Sequence, residues 1–266
     1  MIKLRRKLSK YFPKILSPIY NKLEWVYYRL RWLYLYSTTD FFESIGIEIN
    51  SYCQLRCSIC PNSVSEKGMK KNEVLLDIDL VLKVLNDLRK IKYRGRIVFH
   101  RFNEPLTDKR LVSFVSIART YMPKCKINIA TNGLLLTNDK YLELKEAGVN
   151  TILVTEYDLP IKKLPYKDII YRTLNENDSL HNRSGLVKTK QRAKLPCQSA
   201  FYNSVNIDAT GKVLKCCNDY FGVEPIGDIR DSDIISIWNS PLYKHHREKL
   251  KKKQFDYSEL CKECVK

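Results

Sequence analysis

The sequence predicts an α/β fold, a parallel sheet with crossover helices, followed by a small C-terminal α+β unit. Three observations carry this. Short β-branched runs alternate with helix-period segments over residues 45–157. The pattern changes after the polar, basic connector KTKQRAKLP (188–196). Beyond it come a hairpin pattern, an interrupted helix and a terminal cysteine pair.

Residues 1–44 read as one or two helices, divided near Pro13 and Pro18. IGIEIN (45–50) alternates and is β-branched, which predicts a strand. DIDLVLKVLNDLRKI (77–91) has helical spacing, with Asp77 as its N-cap. GRIVFHRF (95–102) predicts a strand, NEPLTD a loop, and the segment to about 121 a helix. KINIA (126–130) predicts a strand, TNG a turn, and NDKYLELKEAG (138–148) a helix closed by Gly148. NTILVTEY (150–157) is a further strand; KDIIYRTL (167–174) and SGLVK (184–188) are weaker strand patterns. SVNIDATGKVLKCC (204–217) predicts a hairpin turning at Thr210-Gly211, and residues 232–253 a helix broken near Pro241. If the sheet curls into a barrel, function sits in loops at the strand C-termini. The cysteine-rich loop after residue 50, NEP and TNG all lie there.

Composition narrows the class. Lys and Arg number 47 against 29 Asp and Glu, a net charge of +18. Residues 1–32 hold nine Lys/Arg against Glu24 alone, and KHHREKLKKK (244–253) holds six against one. No nucleic-acid motif accompanies the charge, so no nucleic-acid partner is expected. The aromatic-rich 25–36 stretch with flanking basic residues suits either burial or contact with a membrane surface. No apolar run is long enough to span a bilayer and no secretory signal is read, so the expected compartment is the cytoplasm. Nine cysteines there favour metal or redox chemistry over disulfides.

SYCQLRCSICPNS (51–63) sets Cys53, Cys57 and Cys60 four and then three positions apart. Pro61 argues against three buried cysteines on one helix face. Zinc sites use paired spacings and four ligands. Three thiolates suit an iron–sulfur cube with its fourth iron open to another ligand. Cys197, Cys216, Cys261 and Cys264 form a second set, read as cluster ligands or a four-Cys zinc ribbon. Cys216 and Cys217 are adjacent, so in a strand only one faces the other thiols. Cys125 reads as an ordinary buried thiol.

Cys-x3-Cys-x2-Cys after a strand resembles the radical S-adenosylmethionine (SAM) superfamily over residues 44–190. FHRFNEPL (99–106) is similar to that family's GGEP segment, which implies that Glu104 holds the methionine amine, with Asn103 where glycine is usual. TNG (131–133) implies a ribose contact from Asn132. Ile59 stands where an aromatic usually covers adenine. GKVLKC (211–216), the terminal CKEC and GDIRDSDIISIWNSPLYKHHR resemble the twitch domain, the one-cluster relative of the SPASM domain. Within the superfamily, EINSYCQLRCSICPNSVS, YRGRIVFHRFNEPL, ILVT and HNRSGLV resemble the 2-deoxy-scyllo-inosamine dehydrogenase family.

The resemblance implies a basic N-terminal helical extension (1–44), a partial (β/α)6 TIM-like barrel (45–190) and a small α+β twitch/SPASM-type domain (191–266). It implies a SAM-binding 4Fe–4S cluster on Cys53, Cys57 and Cys60, a closed auxiliary 4Fe–4S cluster on Cys197, Cys216, Cys261 and Cys264, and SAM itself. The implied reaction starts with one-electron cleavage of SAM to a 5′-deoxyadenosyl radical, which takes a carbinol hydrogen. The auxiliary cluster then takes the substrate electron. Arg183 is a substrate contact by this likeness. The likeness names no base; His100 and Glu156, at strand ends, are candidates for a base or for a structural role. His181, His245 and His246 read as surface residues. Expected partners are a small polar substrate and an external reductant such as flavodoxin or ferredoxin. A peptide-modifying maturase and a zinc-binding module without enzymatic activity are the alternatives.

Overall fold

The computed structural model describes residues 17–157, 159–174, 182–188, 197 and 203–265, with side chains placed from Leu23 onward. Helix α1 (Ser17–Tyr36) leads into β1 (Ser44–Ile47). Then follow α2 (Ile78–Lys90), β2 (Arg96–Val98), α3 (Leu111–Tyr121), β3 (Lys126–Thr131), α4 (Asn138–Glu146), β4 (Thr151–Glu156) and β5 (Ile169–Thr173). The C-terminal part adds β6 (Ser204–Ile207), β7 (Lys212–Leu214), β8 (Pro225–Asp228), α5 (Ile234–Asn239), α6 (Pro241–Lys251) and α7 (Glu259–Val265).

One eight-stranded sheet joins them in the order β5-β4-β3-β2-β1-β6-β7-β8. The run from β5 to β6 is parallel throughout, and β6-β7-β8 is antiparallel. The sixth parallel strand is therefore β6. It pairs with β1 from Ser44↔Ser204 to Ile47↔Ile207 instead of extending the sheet beyond β5. The expected strand at 184–188 is absent. Arg183 (φ 50°), Ser184 (φ 56°) and Gly185 (φ 84°) are left-handed, a backbone no strand accommodates.

Local signals act where the sequence put them. Asp77 accepts from the Asp79 amide at 2.7 Å and starts α2. Gly148, at φ +106°, ends α4. The long C-terminal helix is two, because Ser240 is extended and caps the Tyr243 amide while Pro241 opens α6. Alternation buries Ile45 and Ile47 of β1, Ile127 and Ile129 of β3, and Ile152 and Val154 of β4. Helices α2 and α3 cover them with Val84, Leu85, Leu88, Phe114, Val115 and Ala118.

Helix α1 divides into two apolar faces. Tyr28 and Trp32 are buried in the core. Leu23, Val26, Tyr27, Leu30, Leu33 and Tyr34 all face solvent, with Tyr34 86% exposed. Among the described residues no helix is long and apolar enough to cross a membrane.

The chain ends are fastened to the segment before β1. The Arg247 guanidinium lies 3.8 Å from the Trp238 ring centroid and donates to Asp40 Oδ2 at 2.9 and 3.1 Å. Lys251 adds a contact to Asp40 Oδ1 at 3.3 Å. Burial opposes ionisation of Asp40, but Arg247 and Lys251 outweigh it and hold the carboxyl below its ordinary range. This pairing contributes stability at neutral pH that is lost as pH falls through the lowered Asp40 pKa. Arg247→Met keeps the apolar stem but leaves Asp40 partly buried with only Lys251 as a charged partner. The Asn203 side-chain amide, which donates to Asp40 Oδ1 at 3.2 Å, also remains; the change should cost about 2 kcal/mol in urea unfolding and flatten the acid limb of the stability–pH curve.

Candidate functional site

The loop between β1 and α2 is pinned on both sides before it offers its thiols. The Ser51 amide donates to Val74 O at 2.9 Å and the Cys53 amide to Gly68 O at 3.1 Å. Cys60 has an extended backbone, and Pro61–Ser63 form a single 3-10 turn after it. Ser63 donates to Cys60 O through its amide and its hydroxyl. Asn62, buried at the turn, donates to Phe102 O at 2.9 Å and accepts from the Tyr220 hydroxyl at 2.7 Å. A side chain at Gly68 would run into Asn62, with its Cβ 2.5 Å from Oδ1.

Cys53, Cys57 and Cys60 line one cavity of about 390 Å³ at the C-terminal ends of the parallel strands. Burial pushes the Cys53 thiol up to about 11, and Glu104 and Cys60 add to the shift. Burial raises Cys60 as well. Such thiols lose their protons on taking up a metal.

Glu104, Asn132 and Asn103 all reach the same cavity. Glu104 Oε1 accepts from Thr131 Oγ1 at 2.7 Å and Oε2 from the Asn132 amide at 2.8 Å. Burial raises its pKa against those donors. Asn132 Oδ1 caps the Leu134 amide at 3.1 Å, while its Nδ2 is buried without a partner among the described residues. Asn103 Nδ2 donates to Asn50 Oδ1 at 2.7 Å, and its Oδ1 accepts from the Arg101 amide. The asparagine in place of glycine thus fastens the loop after β2 to the end of β1.

His100 and Arg183 line the cavity too. Burial, with Arg172 nearby, lowers His100 to about 4, so the imidazole is neutral at pH 7 and a weak base. Glu156 does not line the cavity; it accepts from Thr173 Oγ1 and the Ile161 amide. Arg183 Nη1 donates to Asn218 Oδ1 at 3.2 Å. Tyr157, Arg172, Asn206 and Cys217 also line the cavity and were not singled out as substrate contacts from the sequence. Tyr157 and Arg172 follow or end strands at the sheet's C-terminal edge, a position that is itself the available signal.

Behind Cys217 lies the second thiol set. Cys197 packs with Cys261 and Leu250. Cys216, Cys261 and Cys264 each lie close enough to Cys197 for mutual charge to raise their pKa values, after hydrogen bonding to Cys217 in Cys216 and burial in the other two. The Asn218 amide donates to Cys216 Sγ at 3.3 Å. Among the described residues neither set closes on a single-ion site. A single zinc would draw its sulfurs to about 2.3 Å from one point, whereas a cube holds each thiolate on a different iron. The donor chemistry of both sets, three and four thiols, fits such clusters.

One expectation changes here. His246 is buried, not superficial; its Nδ1 meets the Tyr257 hydroxyl, and burial with Lys215 and Arg247 lowers it to about 3. His181 lies outside the described residues, while His245 is exposed. Cys125 is a core residue as read.

Known proteins resemble this chain in sequence and fold. Residues 47–165 match the radical SAM superfamily model, and residues 197–265 the SPASM iron–sulfur cluster-binding domain. The chain is 30% identical over 238 residues to the S-adenosyl-L-methionine-dependent 2-deoxy-scyllo-inosamine dehydrogenase of Niallia circulans, covering 84% of this chain and 92% of that protein. A crystal structure of BtrN in complex with AdoMet and 2-DOIA superposes with a TM-score of 0.75 at 29% identity, over 85% of this chain and 94% of that one. BtrN in an open conformation gives 0.67 over the same shares. Streptococcus suis SuiB bound to precursor peptide SuiA shares the fold, at 13% identity and a TM-score of 0.53, over 86% of this chain and 72% of that one. The two matched models, with BtrN bound to AdoMet, imply 4Fe–4S clusters and SAM as the cofactors of this chain. The chain belongs to the radical SAM superfamily, as an enzyme with a C-terminal SPASM-type domain and with 2-deoxy-scyllo-inosamine dehydrogenase as a relative.

Proposed function

We propose that this enzyme oxidises a carbinol of a cyclitol, sugar or similar small polar substrate to a ketone, with the cluster on Cys197, Cys216, Cys261 and Cys264 as electron acceptor. One observation carries the reading: the wall between cavity and second thiol set is a single residue thick. Cys217 lines the cavity, and its neighbour Cys216 belongs with the other three thiols. A substrate electron could therefore pass to that set through a residue of the cavity wall.

When bound, the first cluster and SAM supply a deoxyadenosyl radical that removes a carbon-bound hydrogen atom. The chain supplies position. Cys53, Cys57 and Cys60 hold the cluster and leave one iron open. Glu104 offers a carboxylate to the methionine amine and Asn132 its unpaired Nδ2 to the ribose. Arg183 faces the substrate. His100, neutral and with Nδ1 unpaired, accepts a hydrogen bond from a substrate hydroxyl. The alcohol loses a hydrogen atom, an electron and a proton.

On this reading residues 1–44 are the basic extension, 45–190 the radical core and 191–266 the auxiliary-cluster unit. A flavodoxin or ferredoxin supplies electrons in a reducing, cytoplasmic setting. The solvent-facing apolar stripe of α1, on a segment rich in Lys and Arg, suits an anionic membrane surface. The protein should then sediment with phosphatidylglycerol vesicles and not with phosphatidylcholine vesicles, and Leu30→Asp with Tyr34→Asp should release it.

Anaerobic reconstitution should load about eight irons. Changing Cys53, Cys57 and Cys60 to Ala should leave about half of that iron and abolish formation of 5′-deoxyadenosine. Retained cleavage of SAM in the triple variant would contradict the assignment. Cys261→Ala with Cys264→Ala should spare SAM cleavage and lose ketone formation, in protein shown by circular dichroism to be folded. Full-rate ketone formation by that variant would remove the acceptor role.

A further inference from the structure

The charged side chains lining the cavity are Glu104, Arg101, Arg172 and Arg183; the Cys217 thiol also lines it, its pKa lowered by a hydrogen bond to Cys216 and then by Arg183 and Arg101. Two of the four charged side chains are already spoken for. Arg101 pairs with Glu48 at 3.3 Å, both side chains 2% exposed. Glu104 is engaged by the Thr131 hydroxyl and the Asn132 and Leu106 amides. The other two guanidiniums have no carboxylate partner among the described residues. Arg172 donates from Nε to Thr155 Oγ1 at 2.8 Å, and Arg183 from Nη1 to Asn218 Oδ1. Arg183 Nε is buried with no acceptor.

Cofactor charge does not cancel this excess. When bound, the three thiolates and an oxidised cluster carry a single net negative charge, and SAM a single net positive one. Arg183 is also held in place at some cost. It begins the left-handed run Arg183–Gly185, a conformation non-glycine residues adopt mainly where function over-determines it. Asn182 fastens that run by donating to Glu263 O at 2.7 Å.

We propose that the substrate carries an anionic group, a phosphoryl or carboxylate, that Arg172 and Arg183 hold in this cavity. The proposal deepens the dehydrogenase reading and rests on its assignment of this cavity to the substrate. A guanidinium presents a planar fork that matches either group. An ammonium substrate would instead meet two guanidiniums that have no carboxylate partner among the described residues. The Niallia circulans relative is named for an inosamine, an amine-bearing cyclitol. The two enzymes would then differ in the charge of the molecule they oxidise.

Equilibrium dialysis of the reconstituted enzyme with SAM tests this. The probes are glucose 6-phosphate, glucuronate, glucose and glucosamine. At least one anionic sugar should bind at least about tenfold more tightly than glucose or glucosamine. Arg183→Gln should remove most of that preference and Arg183→Lys retain much of it, in variants with unchanged iron content and circular dichroism. Glucosamine binding as tightly as the anionic sugars overturns the proposal. So does no measurable binding of either anionic probe at millimolar concentration, or a preference unchanged in Arg172→Gln/Arg183→Gln, which would mark surface binding of anions only. Deoxyadenosine formed without a ketone from any substrate would defeat the dehydrogenase reading while leaving the anion preference standing.

Discussion

The buried Glu48–Arg101 pair joins the three parts that make the site. Glu48 follows β1, and its amide donates to Ile207 O of β6 at 2.9 Å. Its carboxylate accepts from the Phe102 amide, the Ala209 amide and Arg101 Nη1, each at 3.3 Å. Arg101 Nη2 reaches on to Asp219 O at 2.9 Å. One carboxylate thus binds the end of β1, the loop after β2 and the C-terminal hairpin. Two charges this deep are costly to desolvate and are stable only while nearly every lone pair is met. Displacing the end of β1 or the loop after β2 leaves a charge uncompensated, and displacing the hairpin removes hydrogen bonds from both charges, so the junction favours a single arrangement of all three.

That arrangement determines how the two thiol sets relate. Because β6 hydrogen-bonds to β1, the hairpin that carries Cys216 grows from the same sheet whose far edge positions Tyr157 and Arg172. Asn62 and Tyr220 then lock the Cys57–Cys60 turn against the residues following Cys217. The substrate space lies between the first thiol set and Cys217, with the second set immediately behind. Continuity of the sheet fixes the separation of the two thiol sets through backbone hydrogen bonds, the least compliant element available.

Local order was readable in the sequence and long-range pairing was not. The strands around Ile45, Ile127 and Ile152 follow from alternation, and the α2 start from Asp77. Three thiolates at Cys53, Cys57 and Cys60 announced their chemistry because no common structural use needs that spacing. By contrast, nothing local marks residues 204–207 as the neighbour of β1, since a parallel pairing across so long a connection has no short-range signature. The Glu48–Arg101 pair is equally silent, being two ordinary charges brought together only by the fold. Residues 184–188 misled because Leu186 and Val187 look β-forming, while the backbone at Arg183 and Ser184 is set by what that loop presents. His246 misled in the opposite direction: its lysine-rich surroundings in sequence hide the face of α6 that packs on Tyr257.

The central claim is an open first cluster beside a closed second one on a shared wall. Electron paramagnetic resonance of the dithionite-reduced, reconstituted protein during titration with SAM tests it most directly. The account predicts that SAM alters the signal of one cluster alone and that this response vanishes when Cys53, Cys57 and Cys60 are replaced. A response from both clusters, or a response that survives in that variant, would contradict it.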